Sequence, residues 1–259
     1  HLELSAFPQL EALFLSGCLC LERALTLNSP HLRELVLYNL RTVRQLSLPP
    51  ELHSLTLRSV SSLRIVLGEA PHLHSVSLSG LPRLDSLWAL RHAHTVELDT
   101  LTPKQIGQLG LFGCAYQVTI SAANVGNVSQ LAGVHTLVLN QLPVASVDAL
   151  FGVHTLQLSS MPSVTSVSAL AGVHTLVLDR LASLHSLFGL SMVHSLGLNQ
   201  VPNATLVHDV AHAHTVHLRN FDLPDPLAAY IQANAHKTVI EKVSRDANTQ
   251  SVYPRLRLR

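Results

Sequence analysis

The segment that decides the fold is GVHTLVL at Gly133–Leu139. It returns as GVHTLQL at Gly152–Leu158 and again as GVHTLVL at Gly172–Leu178. Looser copies keep the register on both sides, at Gln9–Leu15, His31–Leu37, Glu51–Leu57, His72–Leu78, Ala93–Leu98, Tyr116–Ile120, Met192–Leu198 and Ala213–Leu218. Self-similarity with a period of about 20 residues is typical of a solenoid, in which each repeat is one coil. The sequence predicts about eleven coils, with a twelfth expected around Val239.

The apolar positions within one coil predict a short strand followed by a tight return path. Leu156 and Leu158 alternate with polar residues, so the strand presents both leucines to the core. Met161, Val164 and Val167 follow at steps of three, which suits either a second short strand or a 3₁₀-like turn. Proline lacks the N–H that would continue the ladder, and it follows the first strand at the same offset at Pro82, Pro143, Pro162 and Pro202.

The stacking of coils follows from the need to bury these leucines. A single coil cannot shelter its own apolar side chains, so neighbouring coils must share one continuous core and pair their strands in a parallel sheet. At about 4.8 Å per strand, eleven coils form a rod roughly 50 Å long. Glycine precedes the strand at Gly133, Gly152 and Gly172, where we expect it to permit a tight re-entry of the chain.

The spacing LxxLxL resembles that of the leucine-rich repeat. It occurs as Leu32–Leu35–Leu37, Leu52–Leu55–Leu57 and Val134–Leu137–Leu139, and the tail VASVDAL after LVLNQLP is most similar to internalin-type repeats. The resemblance covers about residues 1–220. It implies a β-rich, right-handed solenoid of about eleven coils with a parallel sheet, and it implies recognition of other proteins.

The chain departs from that family at one turn position. Three residues after the second strand leucine, the family usually carries Asn or Cys, whose side chain bonds the backbone. Here the position holds Cys18, Leu40, Val60, Leu81, Leu142, Met161, Leu181, Val201 and Phe221, so there is no asparagine ladder. We expect backbone groups or nearby Ser and Thr to satisfy the turn, and the stack to be flatter and more like a β-helix.

The pattern divides the chain into four stretches. We interpret residues 1–220 as one continuous solenoid, with an N-terminal repeat half at 1–98, an irregular insertion at 99–117 and a regular half at 118–220. In the insertion, Thr102 followed by Pro103 predicts a capped short helix. Residues 221–259 are expected to form a C-terminal cap and tail, with a short amphipathic helix as the cap. The chain enters in mid-pattern at His1, which indicates either a fragment or an end covered by another protein.

Composition narrows the class of partner. Charged residues make up 13% of the 259 residues and the net charge is +1, so no overall field favours nucleic acid or an anionic membrane. No apolar run reaches the roughly 18 residues of a membrane span. Three cysteines, Cys18, Cys20 and Cys114, argue against a disulfide framework. They favour a reducing, cytoplasmic compartment or a particle-associated chain, although the sequence leaves the localisation open.

A row of histidines is the most distinctive feature. The same place in successive coils holds His53, His74, His94, His135, His154, His174, His194 and His214. One reading is a metal-binding or pH-sensing ladder, because imidazole binds metals and titrates near neutrality. The metal candidates are then His135, His154, His174, His194 and His214. The other reading is a structural row of neutral rings, since a linear row does not converge on one ion.

The charge distribution predicts where a partner binds. Between Gln105 and Leu178 the single charged residue is Asp148. Interface cores are depleted in charge, whereas free surfaces usually carry interspersed charge. We therefore expect other proteins to bind along the flank of residues 105–178. The predicted interaction surface is Thr136, Val138, Thr155, Gln157, Thr175 and Val177.

No pattern for catalysis is present. The sequence lacks a phosphate loop, a dinucleotide fingerprint and paired carboxylates, so we expect neither an enzyme nor a cofactor. The leading hypothesis is a non-catalytic protein-interaction solenoid, acting as a scaffold or recognition module. The alternatives are a structural subunit of a large assembly such as a virion shell, and a metal- or pH-responsive histidine ladder. An oligomer or larger assembly is compatible with all of them.

Overall fold

The computed structural model describes residues 9–18, 21–27, 29–201, 213–219, 233 and 237–241, and it confirms the solenoid. Its main sheet has 12 parallel strands in chain order. These are β1 (Ala12–Ser16), β3 (Glu34–Tyr38), β5 (Ser54–Arg58), β7 (Ser75–Ser79), β8 (Thr95–Asp99), β9 (Gln117–Ser121), β10 (Thr136–Asn140), β11 (Thr155–Ser159), β12 (Thr175–Asp179), β13 (Ser195–Asn199), β14 (Thr215–Arg219) and β15 (Lys237–Glu241). A second, 3-stranded sheet joins β2 (Ala24–Thr26), β4 (Gln45–Ser47) and β6 (Ile65–Leu67).

The register of the main sheet places equivalent residues of successive coils side by side. Leu137 of β10 pairs with Leu156 of β11, which pairs with Leu176 of β12. All three are fully buried. Leu139 and Leu158 pair in the same way two residues later. The leucines therefore form continuous internal rows, as the period-2 alternation predicts.

The return path takes both of the forms that the sequence left open. The early coils use the short strands β2, β4 and β6, whereas the later coils use single 3₁₀ turns. In those turns a Ser or Asn side chain accepts a hydrogen bond from the backbone N–H two residues later, as Ser146 does from Asp148 at 3.3 Å and Asn127 from Ser129 at 2.8 Å. The 3₁₀ turns lie at Trp88–Leu90, Leu109–Phe112, Ser129–Leu131, Asp148–Leu150, Ser168–Gly172 and Leu190–Met192.

Backbone groups replace the missing asparagine ladder. From β1 to β13, the residue directly after each strand of the main sheet has a positive φ, for example 49° at Ala122 and 56° at Gln141. Its N–H then donates to the carbonyl at the end of the next strand, as from Gln141 to Ser159 at 3.0 Å. The family's Asn or Cys position is thereby released for packing, and Leu142 and Met161 are fully buried there.

The insertion does not interrupt the sheet. Its helix α1 (Pro103–Ile106) begins after the N-cap Thr102, whose side chain and that of Gln105 form a reciprocal capping box. On either side of it, β8 and β9 pair directly in parallel. The strand β15 lies at the expected twelfth repeat around Val239 and pairs with β14. The helix predicted as a C-terminal cap falls outside the described residues, apart from the helical Ala233.

Candidate functional site: a ring column beside an uncharged sheet face

The predicted histidine row is a continuous column of stacked rings. Seven histidines and one tyrosine take part, with neighbouring ring centroids 4.3–5.0 Å apart and ring planes 12–24° from parallel. In order the rings are His74, His94, Tyr116, His135, His154, His174, His194 and His214. We call this set the ring column. The spacing matches the distance between parallel strands, so the sheet itself sets the stacking distance.

Two rings differ from the sequence prediction. Tyr116 takes the place of a histidine and stacks on His135 at 4.5 Å. The repeat aligns Tyr116 with that place in the sequence, so its aromatic side chain could have indicated that it joins the row. His53 does not continue the column, because its ring lies against His72, with centroids 6.0 Å apart.

Threonine hydroxyls hold several rings from one side. The Nδ1 atom of His154 lies 3.2 Å from Oγ1 of Thr155, and that of His174 lies 3.3 Å from Oγ1 of Thr175. His135 and His214 make the same contact with the threonine that follows each of them. The threonine is the first residue of its strand, so the sheet positions both the hydroxyl and the ring.

The surroundings of His174 disfavour its charged form. Partial desolvation is the main cause that lowers the pKa of His174, and repulsion from His154 and His194 lowers it further. In the stretch from Gln105 to Leu178 the one charged side chain, Asp148, belongs to a 3₁₀ turn on the return path. Among the described residues, no group of three His, Cys, Asp or Glu side chains is arranged to hold a metal ion. The five metal candidates thus lie together, but as parallel rings that do not converge.

The predicted interaction residues lie in two adjacent rows beside the ring column. Thr136, Thr155 and Thr175 pair across β10, β11 and β12, and Val138, Gln157 and Val177 pair in the same three strands. All six are half-exposed on the outer face of the main sheet. We call this set the uncharged face.

The row at the end of these strands contains a buried carboxylate and several side-chain hydrogen bonds. Asp179 is 1% exposed, and its carboxylate accepts hydrogen bonds from Asn199 Nδ2 at 2.6 Å and from Arg180 Nε at 3.2 Å. Ser159, in the same row, accepts a hydrogen bond from Gln157 at 3.3 Å. Sequence reasoning did not single out Asp179, since its partner Asn199 lies one full coil away.

Comparisons with known proteins yield structural similarities only. No protein-family model matches the chain, and no curated protein matches it by sequence. The structure is similar to an internalin, InlF of Listeria monocytogenes, at 12% identity and a TM-score of 0.46, over 90% of this chain and 81% of that one. It is also similar to the functional domain of InlJ of Listeria monocytogenes, which includes a cysteine ladder, at 13% identity and a TM-score of 0.47. That second match covers 84% of this chain and 60% of the other.

The strand order and register of this chain decide its architecture. It is a leucine-rich-repeat-like solenoid. In the described part of the chain, none of the helices has the length and apolar character needed to cross a membrane. The solenoid presents its uncharged face and ring column side by side on the same sheet.

Proposed function

We propose that the chain is a non-catalytic protein-interaction solenoid that binds a partner protein through the uncharged face. The observation that carries this proposal is the register that joins Thr136, Thr155 and Thr175 with Val138, Gln157 and Val177 into one half-exposed, uncharged surface. Free surfaces usually carry interspersed charge, whereas interface cores are depleted in charge, as this surface is.

The size of the face sets a requirement for the partner. Three parallel strands span only about 10 Å, while a stable interface buries about 800 Å² of each protein. The partner must therefore also cover neighbouring rows on the same sheet, which include the ring column and the outer residues of β9 and β13. A partner with a flat, largely uncharged surface fits these rows, because a charged one would be desolvated without a counter-charge.

Site-specific photo-cross-linking tests this proposal. A photoreactive amino acid is placed at Gln157 on the uncharged face, or at Thr165, which is exposed on the return path of the same coil. We expect a discrete adduct with one protein from position 157 and none from position 165. The double substitution Val138→Lys and Val177→Lys should then abolish capture of that protein by the purified chain. Equal adducts from both positions, or capture that survives the double substitution, would contradict the proposal.

The behaviour of the isolated chain separates a recognition module from an assembly part. A soluble monomer in analytical ultracentrifugation favours a recognition module, whereas insolubility without partners favours the particle subunit. No observation of the structure favours a virion shell, which stays a hypothesis.

A second candidate function is supported by the ring column, namely that the solenoid responds to protons. Of the two ladder hypotheses, the nearly parallel rings favour the pH-responsive one over the metal-binding one, since ligands of one ion must converge. Protonating neighbouring rings would place like charges about 4.6 Å apart. Acid should then weaken the stack at the edge of the uncharged face.

A further inference from the structure

A second exposed surface lies on the return path of the early coils and has a different chemistry. It consists of three large apolar side chains and three arginines: Ile65, Leu67, Trp88, Arg44, Arg64 and Arg91. We call it the Trp88 patch. Trp88 is 58% exposed, Ile65 46% and Leu67 42%, and an exposed apolar group of this kind can mark a binding site.

The inter-coil hydrogen bonds bring these residues together. The N–H of Arg64 donates to the carbonyl of Arg44 at 2.8 Å, and the N–H of Asp85 donates to the carbonyl of Arg64 at 3.0 Å. This register sets Arg44 beside Arg64, and continued for three residues it aligns Leu67 with Trp88. Neighbouring coils are about 4.8 Å apart, so we expect Leu67 and Trp88 to lie within reach of one apolar side chain of a partner.

Trp88 is held in place before any partner arrives. Its backbone N–H donates to Oγ of Ser86 at 3.2 Å, and the guanidinium of Arg91 lies 4.4 Å from the centroid of the indole ring. Arg91 in turn donates to the Trp88 carbonyl at 3.0 Å and forms an ion pair with Glu69 at 2.6 Å. The hydrogen bonds fix the backbone of Trp88, and the Arg91 contact restrains its ring, so the side chain loses less conformational entropy on binding. Tryptophan and arginine are also the residue types that most often dominate interface energies.

The charge of the patch is positive. Arg44 and Arg64 are exposed, and within the described residues neither forms an ion pair. The nearest acid in their row, Asp85, already binds Lys104 at 2.7 Å. Arg64 also attracts Asp85 and so helps to lower the pKa of that carboxyl, but this attraction is a smaller cause than the bond with Lys104. Both exposed guanidinium groups can therefore still meet the carboxylates of a partner. Guanidinium groups bind carboxylates in a bidentate geometry.

We propose that the Trp88 patch is a second protein-binding surface, and that it binds an acidic segment carrying an apolar side chain. The apolar side chain packs on Trp88 and Leu67, while carboxylates of the segment pair with Arg44 and Arg64. This surface lies on the return path, whereas the uncharged face lies on the outer side of the main sheet. The chain then joins two partners of different chemistry, as a scaffold does, and this inference does not depend on the function of the uncharged face.

Peptide selection on the full chain tests the proposal. Short random peptides displayed on phage are selected on the immobilised chain and counter-selected on the variant carrying Trp88→Ala and Arg64→Glu. We expect the enriched peptides to combine Asp or Glu with an aromatic or aliphatic residue. A synthetic peptide of the most enriched sequence should lose about tenfold or more in affinity for each single variant.

A matched control comes from the repeat itself. Phe188 holds the same place in its coil, six residues before a column histidine, and is 65% exposed. Phe188→Ala should leave peptide binding unchanged, and circular dichroism shows whether each variant stays folded. Enriched peptides that are basic, or that bind both single variants as well as the parent chain, would overturn the proposal. So would stronger binding of phosphatidylserine vesicles or of a single-stranded oligonucleotide with the same dependence on Trp88 and Arg64.

Discussion

The glycines before the strands show that one sequence position can have different structural requirements in different coils. A Cβ atom added at Gly133 would lie 2.7 Å from the carbonyl oxygen of Gly113, and one at Gly172 would lie 3.0 Å from that of Phe151. At Gly152 the nearest atom, the carbonyl oxygen of Ala132, is 3.7 Å away, which is ordinary contact. The expected tight re-entry thus requires glycine at two of the three positions. The cause is close approach of the preceding coil, since none of the three has a positive φ.

Alanine substitution separates these positions. We expect Gly133→Ala to lower the free energy of unfolding by about 1–3 kcal/mol, because the preceding coil must move to relieve the overlap. Gly152→Ala should be neutral or stabilising by up to about 1 kcal/mol, because alanine restricts the unfolded chain. Urea denaturation of both variants measures the difference. Equal effects would mean that the close approach at Gly133 is absent.

Within the ring column, the protonation of one ring depends on the rings stacked on either side of it. The lowered pKa of His174 has desolvation as its first cause and repulsion from His154 and His194 as its second. In the unfolded chain a histidine titrates near its ordinary value of 6.5. Below that pH this residue binds more protons in the unfolded chain than in the folded one, so its contribution to stability is complete above 6.5 and falls as the pH drops below it.

Tyrosine substitution tests this pH dependence without removing the rings. Tyr116 shows that the column accepts tyrosine, so the triple variant His154→Tyr, His174→Tyr and His194→Tyr should keep the stack. We expect the Tm of the parent chain to fall between about pH 7.5 and about pH 5, and the Tm of the triple variant to fall less. The converse variant, Tyr116→His, should steepen the fall. A parent Tm that does not change over this range would remove the proton-responsive function.

The whole molecule is stabilised by contacts between adjacent coils. Leu156 lies in register between Leu137 and Leu176, and every strand of the main sheet pairs only with the strands of adjacent coils. A solenoid of this kind has roughly nearest-neighbour energetics, so a local defect is felt most by the coils on either side.

A cavity in a central coil tests this coupling. Leu156→Ala should destabilise the chain by about 2–5 kcal/mol, because the side chain is fully buried. Hydrogen exchange should accelerate first in β10, β11 and β12. The control Gln157→Ala, on the half-exposed neighbour, should change neither quantity much. Faster exchange spread evenly over all the strands would instead indicate a single cooperative unit.

Much of the architecture is readable from the sequence alone. The period of the GVHTLVL segment predicts the coils, and the alternation of Leu156 and Leu158 predicts which face of each strand is buried. The insertion helix follows from Thr102 and Pro103. These features are local, since they depend on residues within one coil and on propensities that act over a few positions.

Contacts between coils required the tertiary structure. The stacking of Tyr116 with the histidines and the pairing of Asp179 with Asn199 each join residues about one coil apart. The choice between a short strand and a 3₁₀ turn on the return path also required the tertiary structure. Periodicity aligns such positions but does not specify ring orientation or the distance between backbones. Those quantities depend on how closely two coils approach, and only their mutual packing determines that approach.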